Sequence, residues 1–256
     1  METNLVVCKV IVTFVVIIAN KSVMIPKIIH YCWLSGEEMP ALNKQCLASW
    51  QKLLPDYQLM LWDTRQIDIH SNQWLEQAYQ NRKWAFAADY IRFYALWNYG
   101  GIYLDADVEV LKSFNPLMDR PYFVGYQCDD VPEAAVIAAE PHCAWIGECM
   151  DYYKDRQFVK ADGSFDMTAL PNLVQRVLKK HGIKPMPAYY FSPKEHYSRM
   201  LFVNDETYCI HHFDGKWAAN TAGVGLAKVY IHRFLIKCFG LKFHNRVVRS
   251  IRKMHQ

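Results

Sequence analysis

The chain has 256 residues, of which 52% are hydrophobic and 21% are charged. These proportions are ordinary for a globular protein that buries a core, and they exclude a disordered chain, a collagen-like repeat and a coiled coil. The formal net charge of +4 is unevenly distributed, because residues 215–256 contain nine Lys or Arg and no Asp or Glu, which leaves 20 basic and 25 acidic residues before them. A basic surface for a partner is therefore expected in the tail.

The cysteines indicate a reducing compartment. The chain contains eight of them, with no CxxC pair and no zinc-type spacing. In a chain of this length that pattern is typical of free thiols in the cytosol. A metal site would then consist of oxygen and imidazole ligands.

The first 23 residues are an apolar N-terminal extension. Residues 5–19 are mostly β-branched and apolar, but this run is shorter than the about 20 residues that cross a bilayer. Glu2 stands where a signal peptide has a basic start. Three interpretations stay open: a dispensable or wrongly assigned extension with Met24 as the natural start, a weak membrane anchor, or an integral strand.

Strands and helices are predicted to alternate through the body of the chain. In chain order the predicted elements are a strand, a helix, a strand, two helices and a short strand, over residues 25–33, 39–54, 57–62, 74–79, 83–99 and 102–104. Gly100 and Gly101 stop the last helix. This alternation predicts an α/β protein with a mainly parallel sheet, whose ligands bind beyond the carboxyl ends of the strands.

Two carboxylates directly follow the last predicted strand. Asp105 and Asp107 are two residues apart, so that both reach one ion in a turn or share one face of a strand. Hard carboxylate oxygens suit Mg²⁺ or Mn²⁺, and such an ion can stabilise a departing diphosphate. An isolated pair of this kind is usually a solvated turn, but the helix, the Gly-Gly stop and the apolar strand before it favour a metal site.

At this stretch the sequence resembles the OCH1-like / capsular polysaccharide glycosyltransferases, which are glycosyltransferase family 32. The similarity is carried by Ala88-Asp-Tyr-Ile-Arg92 and by residues 99–109, which contain the D-x-D sequence. Flanking segments at 25–36, 189–193 and 208–212 are also similar, and so is Trp217. The resemblance spans residues 25–217.

The resemblance implies a single GT-A domain over 24–225, a UDP- or GDP-sugar as donor, Mn²⁺ or Mg²⁺ as cofactor, and retention of the anomeric configuration. Asp105 and Asp107 match the D-x-D sequence and are the implied metal-binding and catalytic carboxylates. The donor-binding residues that it implies are Trp33, Asp89, Arg92, Gly101, Tyr103 and Trp217. For Asp89 and Arg92, one helical turn apart, a structural ion pair stays open as the alternative, and for Trp33 a place in the core.

A second group of site residues lies near the end of the matched region. His211 is expected as the third metal ligand, with His212 as the alternative, and Lys216 as a catalytic point charge beside the diphosphate. Two positions depart from the family pattern. Members usually have Ser where Lys216 stands, and many carry Asn near Glu133, a difference that bears on donor or acceptor contacts.

Residues 226–256 are predicted to be a basic amphipathic helical tail. Apolar residues recur at helical spacing from Ala227 to Cys238, and a second segment after Gly240 repeats the mixture of apolar and basic residues. Such a helix either lies on an anionic membrane surface or docks on the body with its basic face in solvent. No motif for nucleic-acid binding accompanies the basic residues.

With these features, the resemblance implies a metal-dependent, retaining hexosyltransferase. It would move a hexose or N-acetylhexosamine to a surface glycan, namely a capsule, a lipopolysaccharide or another lipid-linked oligosaccharide. The predicted location is cytoplasmic and peripheral, on the inner face of the cell membrane. A toxin-like transferase acting on protein hydroxyls and a non-catalytic, membrane-associated sugar-nucleotide-binding protein are the alternatives.

Overall fold

The computed structural model describes residues 24–128, 130–195, 197–214 and 226–254. Its strands in chain order are β1 (Ile28–Cys32), β2 (Gln58–Trp62), β3 (Gly101–Leu104), β4 (Val108–Val110), β5 (Tyr122–Cys128), β6 (Val131–Ala139) and β7 (Cys209–His211). Its helices are α1 (Ala41–Leu53), α2 (Gln73–Gln80), α3 (Trp84–Tyr99), α4 (Ala144–Asp151), α5 (Leu170–Lys180), α6 (Leu226–Phe239) and α7 (Leu241–Met254). The N-terminal extension 1–23 lies outside the described residues.

The predicted strands and helices between residues 25 and 104 are confirmed, each within a few residues of the predicted ends. The strands form a five-stranded sheet in the order β2-β1-β3-β6-β5. Strand β1 pairs in parallel with β2 and β3, whereas β6 is antiparallel to both β3 and β5. Four strands therefore point one way and β6 the other, so the mainly parallel α/β sheet is confirmed with one reversed strand.

Helix α3 is buried over most of its circumference, and its end fixes the start of β3. Gly100 ends the helix with φ +63°, and its amide donates to the Leu96 carbonyl at 2.9 Å. The carbonyl of Gly100 then accepts a hydrogen bond from Nε2 of His30 on β1 at 2.7 Å. Burial lowers the pKa of His30 to about 4, so that this imidazole is neutral and its Nδ1 accepts from the Trp62 indole at 3.1 Å.

Two hydrophobic clusters cover the two faces of the sheet. Because side chains alternate along a strand, Tyr103 of β3 enters the cluster built around α3, while Ile102 and Leu104 enter the other. A small second sheet, β4 paired with β7, contributes Val108 and Cys209 to that second cluster. The core thus holds the end of β3 rigidly from both sides.

Helices α6 and α7 occupy the region predicted to be an amphipathic tail. The apolar residues of α6 that share one face are largely exposed, with Tyr230 at 65% and Phe234 at 61% of their full surface. Arg233 donates from Nε to the Ser198 carbonyl at 2.8 Å, and the ring of His232 stacks on Tyr197. No helix within the described ranges combines the length and the apolar content needed to cross a bilayer.

Gly101 has a structural reason to be glycine. Its φ is +102°, and a Cβ at this position would lie 2.6 Å from the carbonyl oxygen of Ile28 on β1. Gly163 also has a positive φ, +79°, but a Cβ there would meet no atom within 4 Å.

We expect Gly101→Ala to lower the free energy of unfolding by about 3 kcal/mol or more, since backbone strain and a clash add. Gly163→Ala introduces backbone strain without a clash, so it should lower the free energy of unfolding by only about 1 kcal/mol. Urea unfolding followed by circular dichroism measures both losses. Equal losses would show that the close approach to β1 has no energetic effect.

Candidate active site

The site lies where β3 ends at the carboxyl edge of the sheet. Directly after Leu104 the chain makes a turn in which the Val108 amide donates to the Asp105 carbonyl at 3.0 Å. The Asp105 amide donates to the carbonyl of Ala135 on the reversed strand β6 at 2.9 Å. The turn is therefore anchored to the sheet, and Asp105 and Asp107 project from a fixed backbone.

The pairing of β4 with β7 brings a histidine to these carboxylates. His211 is the register partner of Val108, the residue after Asp107. The amide of His212 donates to the Asp107 carbonyl at 3.1 Å, and the amide of Asp214 donates to Oδ2 of the same residue at 2.9 Å. The antiparallel ladder thus holds two segments together that are about a hundred residues apart in the sequence.

Asp105, Asp107 and His211 form a group that fits a divalent cation. One ligand atom from each residue lies within 4.8 Å of the others, and Nε2 of His211 is 3.6 Å from Oδ1 of Asp107. The three side chains are partly exposed, with 31%, 13% and 12% of their surface accessible. Two carboxylates and one imidazole suit Mn²⁺ or Mg²⁺, and three protein ligands leave further coordination positions for other oxygen ligands and water.

His212 points elsewhere. Its Nε2 is 2.8 Å from Oε2 of Glu109, whereas His211 faces the carboxylate pair. Of the two histidines that the sequence left open, the structure therefore brings His211 to the candidate metal site.

Glu133 is a residue of this site that sequence reasoning did not assign. Its side chain is 1% exposed, and Oε2 is 3.1 Å from Nδ1 of His211. Burial alone would raise the pKa of Glu133, but His211, Ser192 and the Ala135 amide hold that pKa below its usual range. Burial likewise works to lower the pKa of His211, yet Glu133 and Asp107 outweigh it and raise the pKa to about 9.

Arg92 lies beneath the pair of aspartates. Its guanidinium is 3.0 Å from Asp105 and 3.5 Å from Asp89, donates to the Ala134 carbonyl, and stacks on the Tyr103 ring. The side chain is only 5% exposed, so its present contacts are to the protein and not to solvent. The structure thus gives Arg92 and Tyr103 a supporting position behind Asp105.

Burial shifts the pKa of two carboxyl groups beside Arg92. It raises the pKa of Asp89 to about 7, against the lowering effect of Arg92. Burial also raises the pKa of Asp105, with a further rise from Asp107, and Arg92 again opposes the shift. A bound cation would favour the charged form of Asp105.

The remaining predicted donor-binding residues lie at different places. Trp33 follows β1 at the same sheet edge as Asp105, because His30 is in register with Tyr103, and its indole donates to the Glu37 carbonyl at 2.6 Å. Gly101 begins β3, about 13 Å of extended chain from Asp105, and packs against β1. Lys216 and Trp217 lie outside the described residues.

Residues 40–124 match the family model described as "Glycosyltransferase sugar-binding region containing DXD motif". This part of the chain is therefore similar to a glycosyltransferase sugar-binding region. This segment includes Asp89, Arg92, Asp105 and Asp107, so the resemblance stated from the sequence is confirmed.

Two curated relatives are similar to part of the chain. Inositol phosphoceramide mannosyltransferase 3 of Schizosaccharomyces pombe is 34% identical over an alignment of 115 residues that covers 42% of this chain and 31% of the relative. Mannosyl phosphorylinositol ceramide synthase SUR1 of Saccharomyces cerevisiae is 32% identical over 108 residues, 41% of this chain and 28% of the relative. The matched segment spans about a third of the length of these relatives.

A solved structure named PaToxG Glycosyltransferase superposes with a TM-score of 0.47 and 18% identity, covering 68% of this chain and 78% of that one. The α/β arrangement rests on the sheet order and the strand directions of the chain itself.

We expect His211→Ala to weaken Mn²⁺ binding by about 100-fold or more. Loss of a residue that only hydrogen-bonds a metal ligand already costs about 10- to 100-fold, and loss of the ligand itself should cost no less. His212→Ala is the matched control, because it removes the neighbouring imidazole without removing a candidate ligand. Calorimetric titration with Mn²⁺ gives both affinities. The assignment fails if the two variants bind Mn²⁺ equally well.

Proposed function

We propose that the protein is a metal-dependent, retaining glycosyltransferase of GT-A architecture. It moves a hexose or N-acetylhexosamine from a UDP- or GDP-sugar to a hydroxyl of a lipid-linked glycan. The observation that carries the proposal is the grouping of Asp105, Asp107 and His211 at the carboxyl edge of the sheet, with both aspartates inside the matched sugar-binding region.

The names of the two yeast relatives indicate which donor sugar and which acceptor to test first. By name, the first is a mannosyltransferase of inositol phosphoceramide and the second is a synthase of mannosyl phosphorylinositol ceramide. Mannose is therefore the first donor sugar to test, and a glycolipid headgroup is the first acceptor. Capsule and lipopolysaccharide acceptors have no specific support in these names.

The carboxylates of Asp105 and Asp107 and the imidazole of His211 would hold the cation. When bound, this ion neutralises charge that develops on the departing diphosphate. Arg92 supports the site by balancing the charge of Asp105, at 3.0 Å, from inside the protein.

Donor recognition is proposed for residues around the carboxylates. Lys216 adds positive charge beside the diphosphate, Trp33 and Trp217 offer aromatic surface to the donor, and Asp89 hydrogen-bonds sugar hydroxyls. With a pKa near 7, Asp89 can donate as well as accept a hydrogen bond at neutral pH. The proton of the acceptor hydroxyl passes to the leaving diphosphate, so no separate base is assigned.

We expect Mn²⁺-dependent release of UDP or GDP from a panel of nucleotide sugars, with GDP-mannose tested first. Asp107→Asn should lower the rate by at least about 100-fold, since removal of one charge-stabilising group costs that much in comparable sites. Asp205→Asn, an exposed aspartate elsewhere in the chain, is the matched control and should keep the wild-type rate.

The outcomes of this assay separate the alternatives. Turnover that persists in EDTA or in Asp107→Asn would contradict the metal-dependent mechanism. Nucleotide binding without any release would indicate a non-catalytic sugar-nucleotide-binding protein. Transfer to Ser, Thr or Tyr of a protein, and none to glycolipid, would indicate a toxin-like transferase.

We further propose that α6 and α7 hold the enzyme on the inner, cytoplasmic face of an anionic membrane, where a lipid-linked acceptor resides. The exposed apolar side chains of α6 and of the turn into α7 include Tyr230, Phe234 and Phe239. The tail from residue 215 onward has no acidic residue to oppose its nine basic ones. Exposed aromatic residues beside basic ones are the composition of interfacial helices.

The first variant replaces five exposed basic residues of the helices by Gln: Lys228, Lys237, Lys242, Arg246 and Arg249. It should bind phosphatidylglycerol-containing vesicles at least about 100-fold more weakly than the wild type. The matched control replaces five exposed lysines of the body: Lys52, Lys154, Lys160, Lys179 and Lys184. Vesicle sedimentation measures the binding, and nucleotide release from the soluble donor should stay unchanged in both variants. If both bind vesicles equally, the membrane role of the helices is refuted.

A further inference from the structure

Glu133 is a buried carboxylate to which the proposed donor and metal sites assign no role. It lies on β6 and accepts three hydrogen bonds. The Ala135 amide donates to Oε1 at 2.8 Å, while the Ser192 hydroxyl and Nδ1 of His211 both approach Oε2, the latter at 3.1 Å. Glu133 is only 1% exposed. Burial of a carboxylate costs free energy unless hydrogen bonds and opposite charge compensate for the lost contact with water.

The contact with His211 determines which ring nitrogen carries the proton. Since Glu133 can only accept, Nδ1 of His211 must donate to it. In the neutral imidazole, Nε2 then keeps its lone pair. That nitrogen is the one that lies 3.6 Å from Oδ1 of Asp107.

We propose that Glu133 is a positioning residue that fixes the ring and tautomer of His211, so that Nε2 faces the cation held by Asp105 and Asp107. Ser192 in turn fixes the carboxylate of Glu133. The proposal rests on the metal site of the proposed function, but it does not depend on which sugar or acceptor is used.

A glutamine at this position cannot reproduce the three contacts. If its carbonyl oxygen faces His211 and Ser192, its NH₂ group meets the Ala135 amide, and two donors then face each other. If the amide is flipped, the NH₂ group faces Nδ1 and selects the tautomer that protonates Nε2. In both orientations the negative charge next to His211 is lost, so Glu133→Gln tests the role with little change in volume.

The experiment is a double-mutant cycle on Mn²⁺ affinity, measured on the full chain by electron paramagnetic resonance of free Mn²⁺. Glu133→Gln should weaken binding by roughly 10- to 100-fold, the range for carboxylates behind a metal-bound histidine. In a His211→Ala background the same substitution should change the affinity by less than about twofold, because residues that act through one another are not additive. A loss of equal size in both backgrounds, or none in the first, would overturn the proposal.

Ser192→Ala provides a second variant if Glu133→Gln fails to fold. It keeps the charge of Glu133 and removes one of its three hydrogen bonds, so we expect a several-fold loss of Mn²⁺ affinity that also disappears in the His211→Ala background. Nitrogen-15 NMR of labelled histidine, recorded on the chain loaded with diamagnetic Mg²⁺, should show Nδ1 protonated and Nε2 unprotonated for His211 in the wild type, and a mixture of tautomers in Glu133→Gln. An unchanged His211 signature would contradict the assigned role.

The same measurements separate this proposal from the proposed function. Mn²⁺ binding that follows the expected cycle, together with no release of UDP or GDP, would refute the transferase and leave the role of Glu133 intact. A wild-type chain that does not bind Mn²⁺ would refute the positioning role itself.

Discussion

The pairing of β4 with β7 is the constraint on which the site depends. Asp105 and Asp107 are local in sequence and would follow β3 in many arrangements of the chain. His211 becomes their neighbour only because its backbone is hydrogen-bonded in register with Val108. The two short strands also contribute Val108 and Cys209 to the hydrophobic cluster under the sheet, so burial of apolar surface stabilises the geometry that the chemistry needs.

The charges around this ladder explain why a cation fits. Four carboxyl groups, those of Asp89, Asp105, Asp107 and Glu133, converge on one guanidinium and one imidazole, those of Arg92 and His211. The acidic groups therefore outnumber the basic ones, and burial raises the pKa of Asp89 and Asp105. A divalent ion between Asp105, Asp107 and His211 would remove much of this repulsion without any change in the fold.

The elements that are determined by residues adjacent in the sequence could be predicted from the sequence. The Gly-Gly stop, the apolar strand and the two aspartates are consecutive, so that α3, β3 and the turn after them follow from local rules. Strand β6 runs opposite to the others, and nothing in its sequence indicates a direction. The choice between His211 and His212 required the register of β4 and β7, because adjacent residues of a strand face opposite ways.

The supporting residues were not predictable in the same way. Glu133 stands out in the sequence only as a departure from the family pattern, and its partners Ser192 and His211 are 59 and 78 residues away. Tyr103 and Gly101 lie within the matched segment, yet Tyr103 packs beneath Arg92 and Gly101 packs against β1. The matched segment thus contains residues that pack behind the carboxylates as well as the carboxylates themselves, and the sequence alone does not distinguish the two groups.

The central claim is that one cation binds between Asp105, Asp107 and His211. Anomalous X-ray scattering at the manganese edge, from crystals grown with MnCl₂ and a nucleoside diphosphate, locates such an ion without reference to activity. The account predicts one strong peak within bonding distance of both carboxylates and of Nε2 of His211. A peak elsewhere, or no peak at this position while the diphosphate is bound, would contradict it.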